Sequence, residues 1–228
     1  MIDFFNKIKE KLFWLVPKYA MIPLICTLLA NLLAYYGSLQ IVDFFNIPRH
    51  DIYFPIDGII PFIPQWIIVY FGCYISWIVF YIIICRENKE VCYNFVVAEV
   101  IAKLLCLIVF VVYPTQMIHR PPELGMGFFE QAARFLYDID KPYNLFPSIH
   151  CFASWICFRG VTWCKKMPKW VKIFAFILAI MVFLSTLFTK QHYAIDVIGG
   201  IAVSEIGIFI SKKLHLGNYI RRKVYKNE

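Results

Sequence analysis

Apolar runs of about twenty residues recur along this chain and constrain its fold more than any other feature. A run of that length crosses the hydrocarbon layer of a bilayer as an α-helix, which satisfies its own backbone hydrogen bonds there. Apolar residues make up 61% and charged residues 17% of the 228 positions, whereas soluble domains have about 45–50% and about 25%. The sequence therefore predicts an integral membrane protein with an all-α fold.

Six runs qualify as membrane-spanning helices. We place them at about 19–41, 61–85, 94–114, 147–163, 170–189 and 194–211. The first 18 residues alternate lysine with large apolar side chains, a pattern typical of an interfacial amphipathic helix. We expect residues 1–228 to form one domain, a six-helix transmembrane bundle with a short N-terminal interfacial helix.

The basic residues fall mainly on one side of this predicted bundle. With the N-terminus inside, seventeen of the 23 Lys and Arg residues lie in inner segments and five in outer segments. This positive-inside pattern predicts that both termini are cytoplasmic. It also accounts for the net charge of +8, because the basic residues lie in loops that face the anionic leaflet. The sequence has no basic patch interleaved with exposed aromatics of the kind that binds nucleic acid. We expect a membrane partner and no nucleic-acid partner.

The eight cysteines are scattered along the apolar runs, and none forms a Cys-x-x-Cys pair. We interpret them as packing residues, because thiols at different depths cannot all meet in a disulfide framework or a zinc site. The sequence also has no carboxylate cluster suited to Mg²⁺. It therefore predicts no metal and no other cofactor.

Three polar stretches fall on the outer side of the predicted bundle. One of them opens the sixth run, and a spacing of four residues places His192 and Asp196 on one helical face. The carboxylate can bind Nδ1 of the imidazole and leave Nε2 bare, as a nucleophile or a general base requires. This pair is the first candidate for chemistry.

The other two stretches carry groups suited to an anion. The stretch 144–150 begins the fourth run with a proline, so Ser148 and His150 should lie in a first helical turn with free backbone amides. The stretch 113–121 leaves the third run and carries Arg120, whose guanidinium can grip phosphate in a fork. Together the stretches predict a site for a phosphate group.

In order and spacing these stretches resemble the signature of the type 2 phosphatidic acid phosphatase (PAP2) superfamily. That superfamily includes lipid phosphate phosphatases, undecaprenyl-diphosphate phosphatases and, more distantly, sphingolipid headgroup transferases. Its signature is Lys-x6-Arg-Pro, then Pro-Ser-Gly-His, then Ser-Arg-x5-His-x3-Asp. The corresponding residues here are Arg120-Pro121, Pro147-Ser148-Ile149-His150, and Ser185-Thr186 followed by His192 and Asp196.

The chain departs from that signature at three positions. Tyr113 stands where the family has lysine, Ile149 replaces glycine, and Thr186 replaces arginine. Two cations expected around the phosphate are therefore missing, and Lys190 and His119 could replace them by their position. With fewer fixed cations, a singly charged phosphodiester is less costly to desolvate, which favours the transferase relatives.

The resemblance implies a mechanism. His192 attacks phosphorus, Asp196 orients its ring, and His150 protonates the departing oxygen, so that a phosphohistidine forms without a metal. The implied substrate-binding residues are Arg120, Ser148, Lys190, His119 and Tyr113. The implied reaction is hydrolysis of a lipid phosphate or prenyl diphosphate at the extracytoplasmic face.

Two other functions remain open at this point. A headgroup phosphotransferase would use the same histidines and differ only in the acceptor that reaches the intermediate. A transporter would use Glu99, Lys103 and the histidines as a proton path, but the sequence has no inverted repeat. We expect Glu99 and Lys103, four residues apart, to form a structural ion pair, and Glu205 to face away from the site.

Overall fold

The computed structural model describes residues 14–121 and 123–225, and this part of the chain is mostly helical with very little sheet. The helices are α1 (Lys18–Leu32), α2 (Ser38–Phe44), α3 (Pro55–Ile59), α4 (Ile67–Glu87), α5 (Lys89–Val112), α6 (Phe128–Ile139), α7 (Ile149–Trp163), α8 (Lys169–Phe188), α9 (Ala194–Lys213) and α10 (Leu216–Val224). A π-helical turn, Leu33–Gly37, joins α1 to α2, and a 3-10 turn, Pro64–Trp66, precedes α4. The predicted N-terminal interfacial helix lies almost wholly outside the described residues.

Within the described residues, five helical segments are long and apolar enough to cross a membrane. They are Lys18–Phe44, Pro64–Glu87, Lys89–Val112, Lys169–Phe188 and Ala194–Lys213. They match five of the six predicted runs, so the all-α membrane bundle is confirmed. The fourth run forms α7, which has 15 residues and begins at Ile149. A sixth span therefore stays a prediction.

The bundle has two ends, and we call the end at which α7 and α9 begin the site end. Two short strands tie its loops together: β1 (His50–Asp51) pairs in parallel with β2 (Thr115–Gln116). Thr115 Oγ1 also accepts from the backbone N–H groups of Leu145 and Phe146, at 2.9 and 3.0 Å. These bonds hold the segment before α7 against the segment after α5.

Glycines let α9 approach its neighbours closely. A Cβ at Gly200 would lie 2.7 Å from the backbone oxygen of Ser148, and a Cβ at Gly207 would lie 2.5 Å from that of Ala98. The N–H of Ser148 donates to the carbonyl of Asp196 at 3.1 Å. Helices α7 and α9 are therefore joined at their N-terminal ends, while α9 packs on α5 further along.

A buried ion pair connects three helices inside the bundle. Lys103 Nζ lies 2.6 Å from Glu99 Oε1, and both residues are buried. Lys103 also donates to the carbonyl of Thr27 at 3.0 Å, and the hydroxyl of Tyr81 donates to the Glu99 carboxylate. The predicted pairing is confirmed, and it links α5 to α1 and α4.

Glu205 lies against the further part of α7. Its Oε1 is 2.6 Å from Arg159 Nη1 and accepts from the indole N–H of Trp155 at 2.7 Å. Both partners lie more than one helical turn beyond His150. These contacts agree with the prediction that Glu205 faces away from the site.

The cysteines behave as packing residues. All eight are free thiols, and seven of them are buried. Several belong to the main hydrophobic core between α4, α5 and α7.

Replacing Gly207 by alanine is expected to lower the free energy of unfolding. The added Cβ meets the backbone of α5 rather than a flexible side chain, and overpacking of this kind costs about 1–3 kcal/mol. Gly72 on α4 is the matched control, since a Cβ there has nothing within 4 Å. Thermal unfolding in detergent measures both variants. Equal melting temperatures for the two would contradict the close packing of α9 on α5.

Lys103→Met is expected to destabilise the protein by about 3–5 kcal/mol, because it leaves the buried carboxylate of Glu99 without a countercharge. The double variant Glu99→Gln, Lys103→Met removes both charges and should regain most of that loss. The same unfolding measurement compares the two. A double variant no more stable than the single one would show that the pair is not an electrostatic unit.

Candidate active site

The turn before α9 brings His192 and Asp196 together. His192 Nδ1 lies 3.2 Å from Asp196 Oδ2, and both residues are buried. The same carboxylate oxygen accepts from the N–H of Tyr193 at 2.8 Å. The contact predicted from the spacing is therefore present, and it directs Nδ1 toward the carboxylate and leaves Nε2 for a reacting atom.

Backbone hydrogen bonds from two sides fix this turn. The carbonyl of Thr186, in the last turn of α8, accepts from the N–H groups of Gln191 and His192 at 2.9 and 3.2 Å. The side chain of Asp57, in α3, accepts from the N–H of Ala194 at 2.8 Å. The imidazole of His192 is therefore carried by a rigid segment.

Helix α7 supplies the second histidine in its first turn. Ser148 caps this helix, since its Oγ accepts from the N–H of Cys151 at 3.2 Å. The ring centroids of His150 and His192 lie 5.8 Å apart. One phosphoryl group can contact both imidazoles at this separation, so the structure brings the second predicted stretch to the first.

Aromatic side chains of α4 enclose His150. The hydroxyl of Tyr74 lies 2.9 Å from His150 Nε2, and the rings of Tyr70 and Trp77 lie 4.6 and 5.6 Å from the imidazole, between centroids. No pattern in the sequence indicated these residues. They share one face of α4 in a pattern typical of core packing, so their spacing alone carries no sign of a site.

Arg120 is held from three directions. Its Nη1 donates to the carbonyl of Asp140 at 3.2 Å, and its Nη2 donates to Gln191 Oε1 at 2.7 Å. The guanidinium carbon lies 4.4 Å from the ring centroid of Tyr137. Burial lowers the pKa of this guanidinium. The third predicted stretch thus reaches the residue that precedes His192.

Tyr137, which packs on Arg120, also holds the segment that precedes Gln191. Its hydroxyl donates to the carbonyl of Thr189 at 2.8 Å, which attaches α6 to the end of α8. Burial raises the pKa of Tyr137 to about 12, so its hydroxyl keeps its proton at neutral pH.

Asp140 connects Arg120 with the aromatic side chains around His150. Its carboxylate accepts from the hydroxyls of Tyr35 and Tyr70 at 2.7 and 2.8 Å. Tyr70 in turn packs on His150. Asp140 follows α6 in a loop, and no motif or spacing in the sequence relates it to either histidine.

The ammonium of Lys190 is bound by backbone carbonyls. Its Nζ donates to the carbonyls of Asp57 and Ile60 at 2.9 and 2.5 Å, and burial lowers its pKa. Lys190 has a φ of 52°, in the left-handed region. It joins the C-terminal part of α3 to the turn before α9, and neither contact involves an imidazole. Its role in place of a family cation stays a prediction.

His119 and Tyr113 contact the first loop of the site end. His119 Nε2 lies 3.2 Å from Asp51 Oδ2, and the ring of Tyr113 stacks on His50 with centroids 4.5 Å apart. Asp51 Oδ1 also accepts from the hydroxyl of Tyr193 at 2.6 Å. These contacts do not bring His119 or Tyr113 to His150 or His192, and their roles in binding also stay predictions.

Comparison with known proteins places the chain in a family. A model described as the PAP2 superfamily matches residues 66–210, well over half of the chain. The matched range includes His150, His192, Asp196 and Arg120. No curated protein and no solved structure gives a significant match. Members of this superfamily are generally phosphoric ester hydrolases. The chain belongs to the PAP2 superfamily, and its five apolar helices agree with the membrane-integral branch of that superfamily.

Proposed function

We propose that the protein is a membrane phosphatase that hydrolyses a lipid phosphate or a prenyl diphosphate at the extracytoplasmic face, through a phosphohistidine. Membership of the superfamily supports a phosphatase-type activity. The observation that supports the phosphohistidine is one arrangement of side chains. His192 Nδ1 lies 3.2 Å from Asp196 Oδ2, and the ring centroids of His192 and His150 lie 5.8 Å apart.

In the first step, Nε2 of His192 attacks phosphorus in line with the bond to the leaving oxygen. The N–P bond forms as the P–O bond breaks, and His150 gives its proton to the departing oxygen. Asp196 holds Nδ1 and stabilises the positive charge that develops on the ring. In the second step, water attacks phosphorus, His150 accepts a proton from that water, and the N–P bond breaks to release phosphate.

Fixed donors would stabilise the charge that develops on the non-bridging oxygens. Arg120 supplies a guanidinium, and the backbone amides at the start of α7, which Ser148 caps, supply a helix N-terminus. Because these groups are already held by other contacts, little reorganisation accompanies the reaction. The same donors serve the attack on phosphorus and the hydrolysis of the intermediate.

The surroundings of the site favour a lipid. Helix α6 attaches to the site end through Ala133 and Leu136, which are buried against α4. Its other face exposes large apolar side chains: Phe128, Phe135 and Ile139. An apolar face at this position suits contact with a membrane surface. The excess of basic residues at the opposite end supports an extracytoplasmic site with both termini cytoplasmic.

A headgroup phosphotransferase is the second candidate. It is favoured by Tyr113 and Thr186, which stand where the family has two cations and so leave less positive charge for a dianionic phosphate. Transport has no such support, because Glu99 and Lys103 are engaged in an ion pair that packs three helices.

His192→Ala should lower hydrolysis of ³²P-labelled phosphatidic acid by more than about 10³-fold, because it removes the nucleophile. His150→Ala should lower it by about 10²–10⁴-fold through loss of the general acid. His215→Ala, beyond the other end of α9, is the control and should keep the wild-type rate. A His192→Ala variant with the wild-type rate would overturn the assignment of the nucleophile.

Activity should persist in excess chelator. In the described residues, no group of three or more His, Cys, Asp or Glu side chains is arranged to hold a metal ion, and the proposed charge stabilisation comes from N–H donors. Phosphate release is measured with and without EDTA. Loss of activity that added Mg²⁺ restores would contradict a metal-independent reaction.

Hydrolysis and transfer are separated by supplying an acceptor. The purified protein receives labelled phosphatidic acid in detergent, with and without unlabelled diacylglycerol of a different chain length. A hydrolase releases free phosphate in both cases. Label that moves to the new lipid, with free phosphate at background, would instead establish the transferase.

A further inference from the structure

We propose that Gln191 is a substrate-binding residue, and that its amide selects phosphoryl groups that carry one negative charge. The proposal rests on the proposed function, because that function places phosphorus beside His192. It assigns a residue that the family signature does not contain. It limits phosphate monoesters to their monoanionic form, and it extends the substrate class to phosphodiesters, which carry one charge.

Gln191 directly precedes the proposed nucleophile in the chain, and its side chain is fixed. It is 2% exposed, and its backbone N–H donates to the carbonyl of Thr186 at 2.9 Å. Its Oε1 accepts from Arg120 Nη2 at 2.7 Å. The side chain therefore has one defined orientation, set by a backbone bond at one end and by the guanidinium at the other.

Two buried donors in this pair have no partner among residues 14–121 and 123–225. They are Gln191 Nε2 and Arg120 Nε. A buried N–H without an acceptor is unfavourable, so such a group favours the binding of an acceptor beside it. The two donors belong to hydrogen-bonded side chains, and His192 is the next residue in the chain. The non-bridging oxygens of a phosphoryl group on His192 are acceptors of the required kind.

The charge of this set is low for the family. Thr186 occupies the place of the signature's arginine, and its hydroxyl donates to the carbonyl of Phe183 at 2.8 Å. The ammonium of Lys190 is bound by the backbone carbonyls of Asp57 and Ile60. In this pair of side chains the guanidinium of Arg120 carries a charge, whereas the amide of Gln191 is neutral. A dianion needs more compensating charge than a monoanion to leave water, so the set fits a monoanion.

A role limited to holding Arg120 makes a different prediction. That role needs only the oxygen Oε1, which Gln191→Glu retains as a carboxylate oxygen while it loses the N–H donors. Gln191→Met keeps the length of the side chain and loses both functions. Gln65→Met, at an exposed glutamine of the site end, controls for the substitution itself.

The test uses phosphatidic acid and phosphatidylglycerol with identical acyl chains, because attack by His192 releases the same diacylglycerol from both. At pH 8 the wild-type kcat/KM should be higher for the diester. Lowering the pH to 6 should raise the monoester rate relative to the diester rate, since the second phosphate pKa is about 6. Gln191→Met and Gln191→Glu should each lose at least about 10-fold for the diester, while Gln65→Met loses nothing.

Three results would overturn the proposal: a wild-type preference for the dianionic monoester at pH 8, wild-type rates in Gln191→Met, or wild-type rates in Gln191→Glu. A second measurement does not require turnover: the shift in melting temperature that dimethyl phosphate, a singly charged phosphodiester, causes in the wild type and in Gln191→Met. If the wild type hydrolyses neither lipid but is stabilised by dimethyl phosphate, and Gln191→Met is not, the function fails and the binding role stands. Equal stabilisation of the two proteins would overturn the binding role.

Discussion

The hydrogen bond from the N–H of Ser148 to the carbonyl of Asp196 joins the N-terminal ends of α7 and α9. It forms because Gly200 leaves room, since a Cβ there would meet the backbone of Ser148. Each of these helices carries an imidazole near its start, so the meeting of their ends creates the site. A bilayer requires paired backbone groups inside the hydrocarbon layer, which leaves helix ends as places where free N–H groups can receive an anion.

Around this junction, polar groups fix one another rather than point freely into solvent. Asp57 and Lys190 anchor the turn that carries His192, and Asp140 connects Arg120 to the aromatic rings around His150. In the proposed function, this arrangement puts the donors in place before the substrate arrives. Preorganisation of this kind is the main source of charge stabilisation in phosphoryl transfer.

Local patterns predicted those parts of the structure that depend on local geometry. The apolar runs located five spans, and four-residue spacing predicted both the His192–Asp196 contact and the Glu99–Lys103 pair. Gln191 gave no such signal, because its partner Arg120 is 71 residues away in the sequence. Lys190 lies two residues before His192, yet its ammonium binds the backbone carbonyls of Asp57 and Ile60. No spacing in the sequence indicates that contact. Membership of the superfamily indicates a phosphatase-type activity. The contacts that fix Arg120 and Gln191 are visible only in the folded chain.

The length of α7 has a consequence for access. At a rise of about 1.5 Å per residue, its 15 residues extend about 22 Å, whereas the hydrocarbon layer is about 30 Å thick. Under the proposed topology, in which α7 crosses the membrane and its lysine-flanked C-terminus lies at the inner surface, the first turn of α7 lies several ångströms below the headgroup plane. An amphiphile could then bring its scissile bond to His150 by lateral diffusion within its leaflet. A water-soluble phosphate compound would have to descend into the membrane, so depth alone would discriminate against it.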